Sequence, residues 1–236
     1  MAASASEINI IGTFEWKNSR EEAAILREIE EGKSIATVWN PSTDDFDLVA
    51  RHGKNGTTIR INSLLQLLGV IIQTGSISRI NVFTHASRAF VAFQGYLVRG
   101  DVLMDTKTAM SLDNLDTLNS PEGFFLIRGG KKQKFFLQDV RKRFTTNAVI
   151  VLYACHSGVD LDFLNTIQDT FQVTVIGFKR DIAYKVNVVG GRKHSVEIGY
   201  DLTQTKTNFH DLNLNDPEHV NRVSRKAPQP VPKSKP

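Results

Sequence analysis

Apolar positions recur along the chain with two periods, and these set out the expected elements. Ile8 to Phe14 reads as a strand. Ser19 followed by Glu22 is a capping-box pattern, and Ile25, Leu26 and Ile29 form one stripe before Gly32, which predicts a helix over Ser19 to Glu31. Ile35 to Trp39 is a short apolar strand ended by Asn40-Pro41, and Pro41 to Asp47 reads as an acidic turn. Ser63 caps a helix carrying Leu64, Leu65, Leu67, Leu68, Ile71 and Ile72, with Gly75 just past its end. Two β-rich runs follow: Arg79 to His85, and the continuous apolar run Ala148 to Cys155. Strands apolar on both faces belong to parallel sheets covered by helices. A helix over Leu161 to Phe171 and a buried strand over Val173 to Gly177 extend the alternation, so the fold class is α/β, with right-handed crossovers over a mainly parallel sheet. Between the two runs lie Val91 to Val98, a helical Leu112 to Leu118, a hairpin at Gly129-Gly130 and a helix over Leu137 to Phe144. A late hairpin turns at Gly190-Gly191.

Length and composition narrow the class. At 236 residues, with 41% hydrophobic and 23% charged residues, the chain reads as one large domain with decorations. The expected organisation is a frayed segment at residues 1–7, an α/β domain over 8–215, and a disordered Pro/Lys/Arg-rich tail over 216–236. No apolar run approaches 18 residues and no basic segment precedes an apolar start, so neither a membrane span nor a signal peptide is expected. A single cysteine cannot form an internal disulfide, and the cytoplasm is the expected compartment.

The net charge of +4 changes the picture only once it is located. Five basic residues and no acid lie between Val220 and Pro236, and seven basic residues against Asp139 lie between Arg128 and Arg143. Few aromatics are interleaved with them, which disfavours a nucleic-acid partner. The 128–143 segment is a candidate site for an anionic activator, against the plainer reading of a solvated face.

Candidate chemistry sits at strand ends. Ligands bind at the carboxyl edge of an open parallel sheet, and both His85 and Cys155 end strands. If those strands are neighbours, an imidazole comes beside a thiol that is otherwise only about 3% thiolate at neutral pH, and can act on it as base and then as acid. The plainer reading is a small buried cysteine and a histidine bonded to a loop carbonyl. Other cysteine chemistries fit less well. Tyr153 stands where a hydrolase elbow needs glycine, and Leu161 where a phosphatase loop needs arginine. One cysteine and scattered histidines give no metal-ligand spacing, and no cofactor is implied.

The run Tyr153-Ala-Cys-His-Ser-Gly158 resembles the nucleophile motif of the caspase-like cysteine peptidases, the metacaspase form especially. Ile80-Asn-Val-Phe-Thr-His85 resembles their histidine motif. The resemblance spans about Ile35 to Ile182. It implies the caspase-hemoglobinase fold, a three-layer α/β/α sandwich, and a cysteine endopeptidase that acts on protein or peptide through an acyl-enzyme. His85 would be base and acid, Cys155 the nucleophile, and the backbone N–H groups of Ala86 and Cys155 the oxyanion donors. His156 and Ser157 would support the loop, and Gly158 would permit its turn. Two positions depart from the family. Ala86 replaces a glycine, and Tyr153 replaces an aspartate that helps receive a basic side chain, so a basic preference does not carry over from that motif. In such peptidases the segment after the Val173 to Gly177 strand lines the specificity pocket, and the resemblance therefore makes Asp181 a candidate acidic floor. The alternative from another class is a catalytically silent caspase-like interaction module with the tail as its docking segment.

Overall fold

The computed structural model describes residues 5–31, 41–53, 55–98, 101–201 and 209–226. The strand expected over Ile35 to Trp39, the stop at Gly32 and the last ten residues of the tail lie outside them. In chain order the elements begin β1 (Ser6–Trp16), α1 (Ser19–Glu30), α2 (Thr43–Gly53), β2 (Thr57–Ile61), α3 (Leu64–Gln73) and β3 (Ile77–Phe83). Short strands follow: β4 (Ala86–Ser87), β5 (Phe90–Val91), β6 (Gln94–Val98), β7 (Asp101–Met104) and β8 (Met110–Ser111). Then come α4 (Leu112–Leu118), the hairpin β9 (Phe124–Arg128) and β10 (Lys131–Phe135), α5 (Leu137–Arg141), β11 (Phe144–Tyr153), α6 (Leu161–Phe171) and β12 (Thr174–Phe178). The hairpin β13 (Ala183–Val189) and β14 (Arg192–Asp201), then β15 (Phe209–Asp211) and β16 (Val220–Val223), complete the order.

The central sheet runs β16-β12-β11-β3-β1-β6-β7, with β2 also paired to β1. It is parallel except at its two ends, where β16 and β7 run antiparallel. The apolar runs sort by parity onto its two faces. Ile8, Ile10, Ile80, Val82, Ile150 and Leu152 pack against α3, α4, α5 and α6. Ile11, Phe83, Val151, Tyr153, Ile176 and Phe178 pack against α2 and the β13–β14 hairpin, with α1 adding Ile25 and Leu26. The expected sandwich is thus a mixed α/β architecture in which one outer layer combines two helices with an antiparallel hairpin. No helix among the described residues is long and apolar enough to cross a membrane.

Local chemistry accounts for the helices that were anticipated. The Ser63 hydroxyl accepts the Gln66 N–H, the Gln66 carboxamide accepts the Asn62 N–H, and Leu64, Leu67, Leu68, Ile71 and Ile72 of α3 are buried. Asp160 accepts the N–H groups of Asp162 and Phe163 to start α6.

Five expectations need correction. The cap of α1 is Asn18, whose side chain accepts the Arg20 N–H, not Ser19. The acidic turn over Pro41 to Asp47 is the start of α2: Asp45 accepts both the N–H and the hydroxyl of Ser42, and Phe46, Val49 and Ala50 form its buried stripe. The helix ending at Phe144 stops at Arg141, and Phe144 opens β11. β1 starts at Ser6, inside the segment expected to fray. Residues 216–226, expected as disordered tail, are ordered. Val220–Val223 pairs with β12 at the sheet edge, and Lys226 bonds the Asp169 carboxylate at 2.6 Å. Val220 buries against the sheet, which gives this short segment an apolar anchor that its polar composition conceals.

Candidate active site

β3 and β11 are neighbouring parallel strands in which Phe83 lies opposite Tyr153. Neighbouring strands lie about 4.8 Å apart, and two further residues on each bring His85 and Cys155 to the same carboxyl edge. The Thr84 N–H still reaches the Tyr153 carbonyl there, at 3.4 Å.

The His85 ring is wedged edge-on between Phe14 and Phe46, with centroids 4.6 and 5.3 Å away. Its Nε2 lies 2.8 Å from the Pro41 carbonyl oxygen. A carbonyl only accepts, so Nε2 carries the proton and Nδ1 keeps its lone pair. Burial among the aromatic rings lowers the imidazole pKa from 6.5 to about 4, against the smaller upward pulls of the Pro41 bond and the Asp45 carboxylate.

The Cys155 sulfur is bracketed by one residue: the Ile182 N–H donates to Sγ at 3.2 Å, and the thiol faces the Ile182 carbonyl at 3.6 Å. Burial pushes the thiol pKa up to about 12, and the neighbouring Asp181 carboxylate acts in the same direction against the Ile182 bond. Tyr184, whose hydroxyl donates to the Tyr153 carbonyl at 3.3 Å, has its pKa pushed well up, first by burial and then by the nearby Cys155 and Asp45 charges. The Tyr184 ring packs on Phe46, the ring that also walls His85. Phe46 thus links the surroundings of the imidazole and the thiol: it walls His85 and packs on Tyr184, which the Cys155 charge reaches. No hydrogen bond joins thiol and imidazole, and each is held by a backbone partner of its own.

The turn after Cys155 is tight. His156 has a φ of 55°, left-handed backbone that costs a residue with a Cβ about 1 kcal/mol or more. Three contacts hold it there: its N–H on the Arg180 carbonyl, its Nδ1 facing the Lys179 carbonyl, and its Nε2 on Asp181 at 2.9 Å. The fully buried Ser157 hydroxyl donates to the Leu152 carbonyl and accepts the Phe178 N–H, pinning the ends of β11 and β12 together. Gly158 has an ordinary φ, which corrects its expected role. A Cβ there would collide with the Gly177 carbonyl, so close backbone approach is what requires glycine.

Of the other anticipated residues, Ala86 sits in β4 opposite Val91. The Ala92 N–H bonds the His85 carbonyl, so the 86/91 pair is the non-bonded kind and the Ala86 N–H points away from β5. Asp181 is not a buried floor. Its side chain is 73% exposed and paired with His156 at the rim. The basic 128–143 segment divides: Arg128, Lys131, Lys132 and Lys134 lie on the β9–β10 hairpin, while Arg141 binds the Asp169 and Thr170 carbonyls. Among the described residues no three histidine, cysteine or acidic side chains gather as metal ligands.

Sequence reasoning missed a buried ion cluster behind the histidine. Lys193 of β14, 11% exposed, reaches Glu22 of α1 at 2.7 Å and the fully buried Asp45 of α2 at 3.0 Å. Asp45 also caps Ser42, the residue after Pro41. The cluster thus ties together α1, β14 and the α2 start that presents the Pro41 carbonyl to His85. The Ser42-x-x-Asp45 pattern could have revealed α2. The Pro41 and Ile182 contacts are made by backbone and leave no mark in residue types. The chain matches no family model, no curated protein and no solved structure.

Proposed function

We propose that this chain is a caspase-like cysteine endopeptidase built on a caspase-hemoglobinase-type sheet, with His85 and Cys155 as its dyad. The observation that carries the reading is the β3–β11 register, which delivers an imidazole and the chain's one thiol to the same sheet edge. As Sγ attacks the scissile carbonyl carbon, the thiol proton passes to His85 Nδ1. The Pro41 carbonyl holds the tautomer that frees this nitrogen. The oxyanion is received by the Ala86 and Cys155 N–H groups. Collapse breaks the C–N bond, His85 returns the proton to the leaving amine, and an acyl-thioester remains. His85 then takes a proton from water as its oxygen attacks, and the acid departs with regeneration of the thiol.

One observation favours the second reading, a catalytically silent module: the Ile182 backbone occupies the sulfur from both sides. A fluorogenic peptide library separates the two. Turnover by the intact chain that disappears in Cys155→Ala and falls at least 100-fold in His85→Ala, with melting temperatures preserved, is the expected result. Cleavage that survives in Cys155→Ala refutes the dyad, and no turnover of any library member leaves the silent module.

A further inference from the structure

On the helical face of the sheet, away from the dyad, a groove of about 610 Å³ opens between β2 and β9, with α3 as its floor. Volumes of about 300–1,000 Å³ are typical of sites that hold a ligand. The manner of its lining is informative. Ile59, Arg60 and Ile61 of β2 all face it, although successive strand residues point to opposite faces. Three consecutive residues border one space only if that space lies along the strand's edge. The same holds across the groove, where Phe125 to Arg128 of β9 line it consecutively. Both edges are open: among the described residues β2 pairs only with β1, and β9 only with β10. Open edges present unpaired N–H and C=O groups, templates for another strand. The floor is apolar and shallow, with Leu65 48% exposed and open space above Gly69 one turn along. Ile127 on the facing wall is 81% exposed.

We propose that this slot binds an extended segment of a partner protein, alternating aliphatic and acidic residues, which adds as a strand to β2. Main-chain bonds to β2 supply the pairing, and alternate aliphatic side chains fill the space over Leu65 and Gly69. Charge selects the acidic positions. From Phe124 to Phe136 the hairpin carries Arg128, Lys131, Lys132 and Lys134 and no acid, and Lys132 stands 4.3 Å over the Phe125 ring. Arg60 on the opposite rim is shared with Asp44 and Asp47 of α2, so the hairpin supplies most of the positive field. The concave shape favours an inserted chain over a flat lipid surface. The proposal uses neither His85 nor Cys155 and stands apart from the peptidase reading.

The test is a displayed library of random 10-residue peptides selected on the full chain, with Ile127→Asp and Leu65→Asp as comparison proteins. Both residues are exposed, so their melting temperatures should match the parent. Enriched peptides should alternate aliphatic with Asp or Glu. A synthetic member should bind at least tenfold more weakly to either variant, and N-methylation of one alternate set of its residues should weaken it by a similar factor. Failure to enrich, enrichment without acidic residues, binding unaffected by both variants, or indifference to N-methylation at both alternate sets overturns the proposal. So does a concentration-dependent dimer abolished by Ile127→Asp, which assigns the slot to a second copy, or loss in that variant of binding to vesicles containing phosphatidylserine, which assigns it to lipid.

Discussion

Replacing His85 by Gln should remove most of the fold's sensitivity to mild acid. In the unfolded chain this imidazole titrates near 6.5, and in the folded protein near 4, because protonation would strand a cation between Phe14 and Phe46. Above pH 6.5 neither state holds the proton and stability is complete. As pH falls toward 4 the unfolded chain takes up a proton that the native site refuses, so stability is lost over that window and levels off below it. At about 1.4 kcal/mol per pH unit, the interval amounts to about 3 kcal/mol, a large share of a typical 5–15 kcal/mol stability. Urea unfolding at pH 7, 6, 5 and 4 measures it. With a slope of about 2–3 kcal/mol per molar, the midpoint of the parent should fall by about 1 M more than that of His85→Gln. The comparison cancels carboxylates that titrate in both proteins. Parallel curves, or a His85 Cε1–H resonance titrating near 6.5, would refute the burial argument.

Lys193→Met should destabilise by about 3–5 kcal/mol, because it leaves the buried Asp45 carboxylate without its cation; urea unfolding reads this, and adding Asp45→Asn should recover part of the loss. Gly158→Ala should cost about 1–3 kcal/mol and lower the melting temperature by about 5 °C, since a Cβ must displace the Gly177 carbonyl. An unchanged melting temperature there would show that the β11–β12 ends give way freely.

What could be read from the sequence was what short-range periodicity encodes. The continuous run Ala148 to Cys155 identified a strand covered on both faces, and Ser63 with its leucines identified α3, because burial on one or two faces leaves its period in consecutive residues. The placement of His85 and Cys155 at one edge followed from those strands being neighbours. Elements fixed by distant partners were not legible. Val220–Val223 becomes a strand through the β12 edge, and four residues are too few to show a period. α2 was concealed because Pro41 and three aspartates resemble a turn, although Asp44 and Asp45 lie in the first turn of a helix, where Asp45 accepts the Ser42 N–H. Lys193 meets partners from the far end of the chain, and no local pattern announces that a hairpin lysine will be buried.

The two displaced pKa values bear jointly on how the proposed chemistry must run. Burial pushes the thiol up and the imidazole down, and both shifts favour the neutral forms over a resting thiolate–imidazolium pair. The proton has to leave sulfur as the new bond forms, with the developing charge passed to the oxyanion donors rather than stored on Sγ. That requirement explains the value of a fixed tautomer. With Nε2–H committed to the Pro41 carbonyl, Nδ1 is available as a base throughout, and the aromatic walls keep it unprotonated in weak acid. The sulfur must also exchange its Ile182 contacts for the substrate carbonyl. The segment that holds Ile182 in place is tied to the Cys155 turn by His156, through Asp181 and the Lys179 and Arg180 carbonyls. The Asp181 pairing at the exposed rim is worth only about 0–1 kcal/mol. On this reading the sulfur leaves its Ile182 contacts before it attacks, and the exposed Asp181 pairing offers that step little resistance.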